Sequence, residues 1–257
     1  MEECIVRLNK GKVVFMGCLV SAFFNISTVC YSKDVDSSYE YKIADPYKNG
    51  EMIPNSPSIP GPTGLVKTPS AYVLDRWDYD VSVDVVGWQD YVKVNVGLPN
   101  RFEAGVSFIE RAQEEGSVNL KWNFVPEAEE HPAVSVGIID LGATNGRTKY
   151  AVASKNFTSL KTFRSKYRIN RMALRYHLGY KDTTADESYF YGLEVRLLFS
   201  RSNPLKKVLA KTTFMEEYDG DHFNFGMRYD LAPMTKLHFG ILSADDINVG
   251  ISYRKSL

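Results

Sequence analysis

From Lys155 to Arg175 the chain reads KNFTSLKTFRSKYRINRMALR, with Lys155, Lys161, Arg164, Lys166, Arg168, Arg171 and Arg175 and no acid. Cations at this density can hold the carboxylates or phosphates of an anionic glycan or a lipid head group. Lys161, Arg164, Lys166, Arg168 and Arg171 are the candidate glycan contacts. The same residues also suit an ordinary solvated loop, and Glu127, Glu129 and Glu130 could neutralise them. A second cluster, Glu216, Glu217, Asp219 and Asp221 in EEYDGD, has carboxylates at a spacing that can bind calcium. It lacks the EF-hand pattern, and a hairpin turn explains it equally. His131, His177, His222 and His238 are scattered, and no Gly-x-Ser-x-Gly elbow is present. Neither a serine hydrolase nor a metal site has its motif. The expectation is a non-enzymatic protein without metal or cofactor.

The segments that must position these residues alternate with a period of two. WDYDVSVDVVGW puts Trp77, Tyr79, Val81, Val83 and Val85 on one face and Asp78, Asp80, Ser82 and Asp84 on the other. YVKVNVGL, FEAGVSFIE, VNLKWNF, AVSVGII, KYAVAS, MALRYHLGY, YGLEVRLLF, VLAKTTFMEE, HFNFGMRYDL, TKLHFGIL and INVGISY follow. That makes about 12 strands in sequential hairpins, with turn residues such as Asp219-Gly220, Ala232-Pro233 and Ser243–Asp246 between them, and no helix of any length. The fold class read from this is all-β: a closed antiparallel up-and-down membrane barrel. A soluble sandwich or a lipocalin-like barrel of about eight strands is the competing architecture.

The two readings differ in which face meets water. Glycines recur on the polar face at Gly97, Gly105, Gly137, Gly179, Gly192, Gly226, Gly240 and Gly250. Glycine weakens an exposed strand, but inside a closed barrel it makes room for long side chains. The charges expected in the lumen are Asp84, Lys93, Glu103, Lys121, Arg175, Glu194, Arg196, Arg228 and Lys236. The apolar face is bulky and has aromatics near many strand ends: Trp77, Trp88, Phe102, Trp122, Tyr150, Tyr180, Tyr191, Phe199, Tyr229 and Tyr253. That suits girdles at a membrane interface. On this register Val106 faces lipid and Ser107 faces the lumen, so arginine should be tolerated better at 107 than at 106 if space permits. One pattern fits less well: the stretch after Lys155 is long on what should be the short-turn side, which a mis-counted strand would explain.

The chain has 257 residues with 31 basic and 31 acidic, so composition gives no reason to expect a nucleic-acid partner. Arg7, Lys10 and Lys12 precede the apolar run VVFMGCLVSAFF, and NISTVCYS follows. This is the layout of a secretory signal peptide over residues 1–32. Cys4, Cys18 and Cys30 all lie within it, so the mature chain would lack cysteine. Residues 33–62, with Pro54, Pro57, Pro60 and Pro62, are expected to be a proline-rich periplasmic arm or linker, and residues 63–257 the barrel.

Gly64-Leu65 followed by Thr68-Pro69-Ser70-Ala71 resembles the opening motif of the YjbH-like family of bacterial outer-membrane proteins. PAVSVGIIDLG (132–142), YAVASK (150–155) and EEYDGDHFNFGMRYDL (216–231) resemble further signatures of that family. The resemblance covers roughly residues 64–254. It implies an outer-membrane barrel of a Gram-negative bacterium that assists export or assembly of a surface exopolysaccharide. The implied partners are outer-membrane lipid, an anionic polysaccharide and periplasmic export proteins. No catalytic residues come with it. Many members carry a lipobox, which this sequence lacks.

Overall fold

In a computed structural model, residues 55–110, 115–144, 146–159, 169–199, 204–243 and 245–255 are described. The leader and most of the expected arm lie outside them. Twelve strands run in chain order: β1 Tyr79–Val86, β2 Gln89–Leu98, β3 Phe102–Glu110, β4 Glu115–Val125, β5 Ala133–Ile139 and β6 Thr148–Ser159, then β7 Ile169–Thr183, β8 Glu187–Phe199, β9 Thr212–Tyr218, β10 Phe223–Ala232, β11 Thr235–Leu242 and β12 Asp246–Lys255. Each pairs antiparallel with its chain neighbours, and β12 pairs with β1, so the sheet closes on itself. Closure leaves no free edge among these strands.

The turns follow residue chemistry. Gly87 and Gly220 have φ of 56° and 107°, which a glycine adopts without a Cβ clash. Tyr79 and Lys255 pair at one rim, where the β2–β3, β4–β5, β6–β7 and β8–β9 connections also lie. The strand count is the expected one, so the long connection after Lys155 belongs to this rim and is not a counting error. One segment departs from the sequence reading. VLAKTTFMEE was expected to be a single strand, but a short helix α1, Pro204–Ala210, precedes β9. Proline favours the first helical turn, and Leu, Lys and Ala that follow are good helix formers. Val208 C=O closes the helix by accepting the Lys211 N–H at 3.0 Å.

Every strand contributes an exposed large apolar residue to the outside, from Val83 on β1 through Phe108, Leu120 and Phe214 to Ile251 on β12. The inner face is polar and buried. The small apolar clusters also lie inside, and each joins the wall to the chain that precedes β1. Ala71 and Tyr72 pack with Ala133, Tyr150, Val152 and Phe190. Ile59, Leu65 and Val66 pack with Met215 and Leu242. Residues 55–78 therefore form a plug within the barrel. The expected boundary at residues 62/63 falls inside this unit, and Pro57, Pro60 and Pro62 belong to it. Their missing N–H groups would disqualify them from a strand, but not from an irregular segment whose backbone is bonded by wall side chains.

Candidate functional site

The plug is irregular and makes few backbone bonds of its own. Ser58 N–H bonds Pro62 C=O at 2.8 Å, Ile59 N–H bonds Val66 C=O at 2.7 Å and Leu65 N–H bonds Thr68 C=O at 2.8 Å. Its remaining donors and acceptors require partners, because a buried unpaired peptide group is costly. The charged residues of the wall supply them.

Glu217, fully buried on β9, accepts the N–H groups of Val66, Lys67 and Thr68 at 3.2, 2.7 and 3.1 Å, and the Thr68 hydroxyl at 2.7 Å. Asn224 Nδ2 donates to it from β10 at 3.0 Å. Glu103 on β3 accepts the N–H groups of Thr63 at 2.8 Å and Leu74 at 2.9 Å. The cations bond carbonyls. Lys93 donates to Ser58 C=O at 2.9 Å and to Asp84 at 2.6 Å. Lys121 donates to Thr63 C=O at 2.9 Å and sits 3.4 Å from Glu103. Arg228 donates to the carbonyls of Gly64 and Leu65 at 2.6 and 2.5 Å. Lys236 reaches Asn55 C=O. Polar side chains add to this: Asn95 donates to Gly61 C=O at 2.8 Å, and Asn123 and Ser135 donate to Ala71 C=O at 2.8 and 2.6 Å.

Two histidines sit in the same network. Ser154 Oγ accepts the Ala71 N–H at 2.8 Å and meets His177 Nδ1 at 2.7 Å, while His177 Nε2 lies 3.0 Å from Glu194. Glu194 also faces Arg175 at 3.4 Å and Arg228 at 3.8 Å. His238 Nε2 is 3.2 Å from Ser56 and 2.9 Å from Ser252. These are serine–histidine–carboxylate rows, but both serine–histidine pairs end on plug atoms. Ser154 is closed off from solvent by the segment it binds. In this arrangement the rows hold the plug.

The plug spans the lumen. At the terminal rim Arg254 bonds Asp78 at 2.6 Å and Asp75 at 3.0 Å. At the opposite rim Lys67 bonds Asp219 at 2.9 Å in the β9–β10 turn. Burial opposes ionisation of Asp219, but the His222 backbone N–H and the Lys67 ammonium outweigh it and hold its carboxyl below the usual range. A depressed folded value stabilises the fold above the unfolded Asp value of about 3.9, and that contribution fades as pH falls below it. Asp219→Asn should therefore remove a step from the acid side of the wild-type unfolding profile and leave the neutral profile nearly unchanged in shape. A wild-type acid profile identical to the variant's would remove this tie from the account.

The expected lumen charges Asp84, Lys93, Glu103, Lys121, Glu194, Arg228 and Lys236 are buried on the inner face. Arg196 sits nearer the terminal rim, bonding Asp230 at 2.6 Å and Ala210 C=O at 2.9 Å. Glu103, Lys93, Lys121, Arg228 and Lys236 bond the chain's own plug, which strand periodicity could not reveal. Of the candidate glycan contacts, Lys161, Arg164, Lys166 and Arg168 lie outside the described residues, and Arg171 falls on β7. The ends of that basic stretch are committed elsewhere. Lys155 donates to the carbonyls of Ala128, Glu129 and His131. Arg175 is inside the barrel, with Asn156 at 2.8 Å and Asn55 at 2.9 Å. Glu127 bonds Tyr72 and Asn156. The EEYDGD carboxylates do not converge, since Glu217 and Asp219 serve the plug; among the described residues no group of three or more His, Cys, Asp or Glu is placed to hold a metal ion.

Two further expectations change. Tyr150 was placed with the outward aromatics, but it is buried inside against Gly137, as Phe190 is against Gly179. The inner glycines were expected to make room for charges, and Gly250 does so for Asp84, but others serve the plug. A Cβ on Gly192, Gly226 or Gly240 would instead crowd Leu65 or Val66 of the plug, and one on Gly97 would strike the Asp75 backbone.

Distant structural likenesses accompany this geometry. A KdgM porin in complex with disordered oligogalacturonate is 11% identical, with 68% of this chain and 98% of that chain covered and a TM-score of 0.41. A NanC porin is 10% identical, with 68% and 98% covered and a TM-score of 0.35. The Acinetobacter baumannii outer membrane protein Omp33 is 10% identical, with 70% and 98% covered and a TM-score of 0.35. No protein-family model matches the chain, and no curated protein matches it.

Proposed function

We propose that this chain is a non-enzymatic outer-membrane β-barrel that assists export or assembly of a surface exopolysaccharide, with its lumen closed at rest by residues 55–78. The observation that carries the membrane reading is the exposed apolar face on all twelve strands. Soluble monomers rarely expose a continuous apolar patch beyond a few hundred Å². Hydrocarbon suits that face, and a closed sheet is the β form that satisfies its backbone there. Support for the polysaccharide comes from the YjbH-like motifs. Gly64-Leu65 and Thr68–Ala71 are part of the plug. EEYDGDHFNFGMRYDL supplies Glu217, Asp219, Asn224 and Arg228, which hold it, and the two mid-chain motifs supply Ser135 and Ser154. A filled lumen favours a second reading, an interaction barrel that docks periplasmic partners.

Deleting the gene should lower surface polymer, and the wild-type gene should restore it. A version with Lys161, Arg164, Lys166 and Arg168 changed to Gln keeps length and polarity and should assemble normally. It should retain less anionic polymer, and wild-type retention should weaken with salt. Unchanged surface polymer after deletion would reject the polysaccharide reading and leave the docking one.

A further inference from the structure

We propose that the inner wall facing the plug is also a binding site for an uncharged, hydroxyl-rich run of sugars, which exchanges with the plug. This rests on the export reading and narrows it: the lumen takes uncharged sugars of the polymer, and its anionic groups are left to the basic stretch after Lys155. Among the described residues, none of 55–76 makes a main-chain bond to the barrel sheet. The plug's only bridges are internal, Pro57 with Thr63 and Gly64 with Pro69. The twelve strands close without residues 55–76; the plug's main-chain bonds to the wall are at its junction with β1, where Trp77 N–H donates to Gly97 C=O at 2.7 Å and Gly97 N–H donates to Asp78 C=O at 2.8 Å.

The wall holds the plug mainly through peptide groups. Glu103 and Glu217 accept N–H groups, while Lys93, Lys121 and Arg228 donate to carbonyls. Such contacts read alternating donors and acceptors with little regard to side-chain identity. A sugar hydroxyl is both donor and acceptor, so a glycan can meet the same groups. The charge of the wall then selects among glycans. Among the described residues the buried carboxylates Asp78, Asp80, Asp84, Glu103, Asp140, Glu194, Glu217 and Asp219 are no fewer than the buried cations Lys93, Lys121, Lys155, Arg175, Arg228 and Lys236. That leaves no positive excess to favour a polyanion over a neutral chain.

A second observation is independent of the plug contacts. Both Asp80 carboxylate oxygens, Ser82 Oγ and Asn95 Oδ1 are buried without a hydrogen-bond partner. They lie on the inner faces of adjacent strands, with Asp80 opposite Asn95. Buried carboxylate and amide oxygens normally find donors. This strip accepts hydrogen bonds that the plug does not supply, and hydroxyl donors fit it.

The test uses the full-length protein with its three native cysteines changed to Ser, and two variants of it. Ser56→Cys with Ser252→Cys places thiols where the two hydroxyl oxygens are 3.3 Å apart, so oxidation should lock the plug to β12. Leu65→Ala with Val66→Ala loosens the plug without touching the polar wall. The probes are maltoheptaose, which is uncharged, and heptagalacturonate, which is charged on every sugar. The loosened variant should bind maltoheptaose saturably and at least tenfold more tightly than heptagalacturonate. Oxidation of the locked variant should abolish binding, and reduction should restore it. The site is overturned by equal binding in the oxidised and loosened proteins, by no binding in a loosened barrel that is correctly folded, or by tighter binding of heptagalacturonate. Binding without any effect of gene deletion on surface polymer keeps the site and rejects the export reading. Loss of polymer on deletion without binding rejects the site alone.

Discussion

Replacing Glu217 with Leu should release the far end of the plug and open the barrel. The carboxylate accepts three consecutive backbone N–H groups, the Thr68 hydroxyl and Asn224. Leucine fits the volume but accepts nothing. Each buried donor left unmade costs about 1–3 kcal/mol, so the loss at this one position is on the order of 4 kcal/mol or more. It falls on plug seating, because the strands around β9 keep their ladder bonds. Purified wild-type protein in a planar bilayer should conduct little, and the Leu variant should show a clearly larger conductance with new proteolytic cleavage after Lys67. Glu217→Gln, which keeps one acceptor, should lie between them. Equal conductance of all three in folded barrels would mean that residues 55–78 do not close the lumen.

The second large effect concerns the outer face. Val106 lies in mid-strand on β3, paired with Val94 and Val118. Arginine there must enter hydrocarbon at a cost of roughly 2–4 kcal/mol at the membrane midplane, and the folded yield should drop. Ser107 faces inward as expected, but the space a larger side chain would need is taken. It is 2% exposed, donates to Pro60 C=O at 3.1 Å and takes a bond from Asn119 at 3.0 Å. The lumen has no spare room there. Ser107→Arg should still insert but dislodge the plug, raising conductance. If Val106→Arg folds in full yield while Ser107→Arg prevents insertion, the inner and outer faces are exchanged.

Strand periodicity exposed the barrel because alternation is a local property. Val81, Val83 and Val85 against Asp80, Ser82 and Asp84 need no partner to be read. His177 and His238 lie on the same alternating polar face of their strands, and both are buried inside. The plug has no period. Its prolines and short polar residues resemble a linker, because what orders them is side chains more than a hundred residues away, such as Glu217 and Arg228. The helix α1 was missed because seven residues carry too little periodicity to outweigh the strand pattern of TTFMEEY. Tyr150 was misassigned because an inward aromatic breaks the polar-in rule, and the glycine that admits it, Gly137, is on a different strand. One signal was present in the sequence: recurrent inner glycines on the later strands, at Gly192, Gly226 and Gly240, indicate that something bulky approaches that wall.

The central claim is that the apolar exterior sits in a membrane around a closed barrel. A semi-native gel of fractionated cells tests it most directly. The account predicts recovery in the outer-membrane fraction, with faster migration unheated than boiled because the closed barrel stays folded in detergent. Recovery as a soluble periplasmic protein with no heat-dependent shift would contradict it.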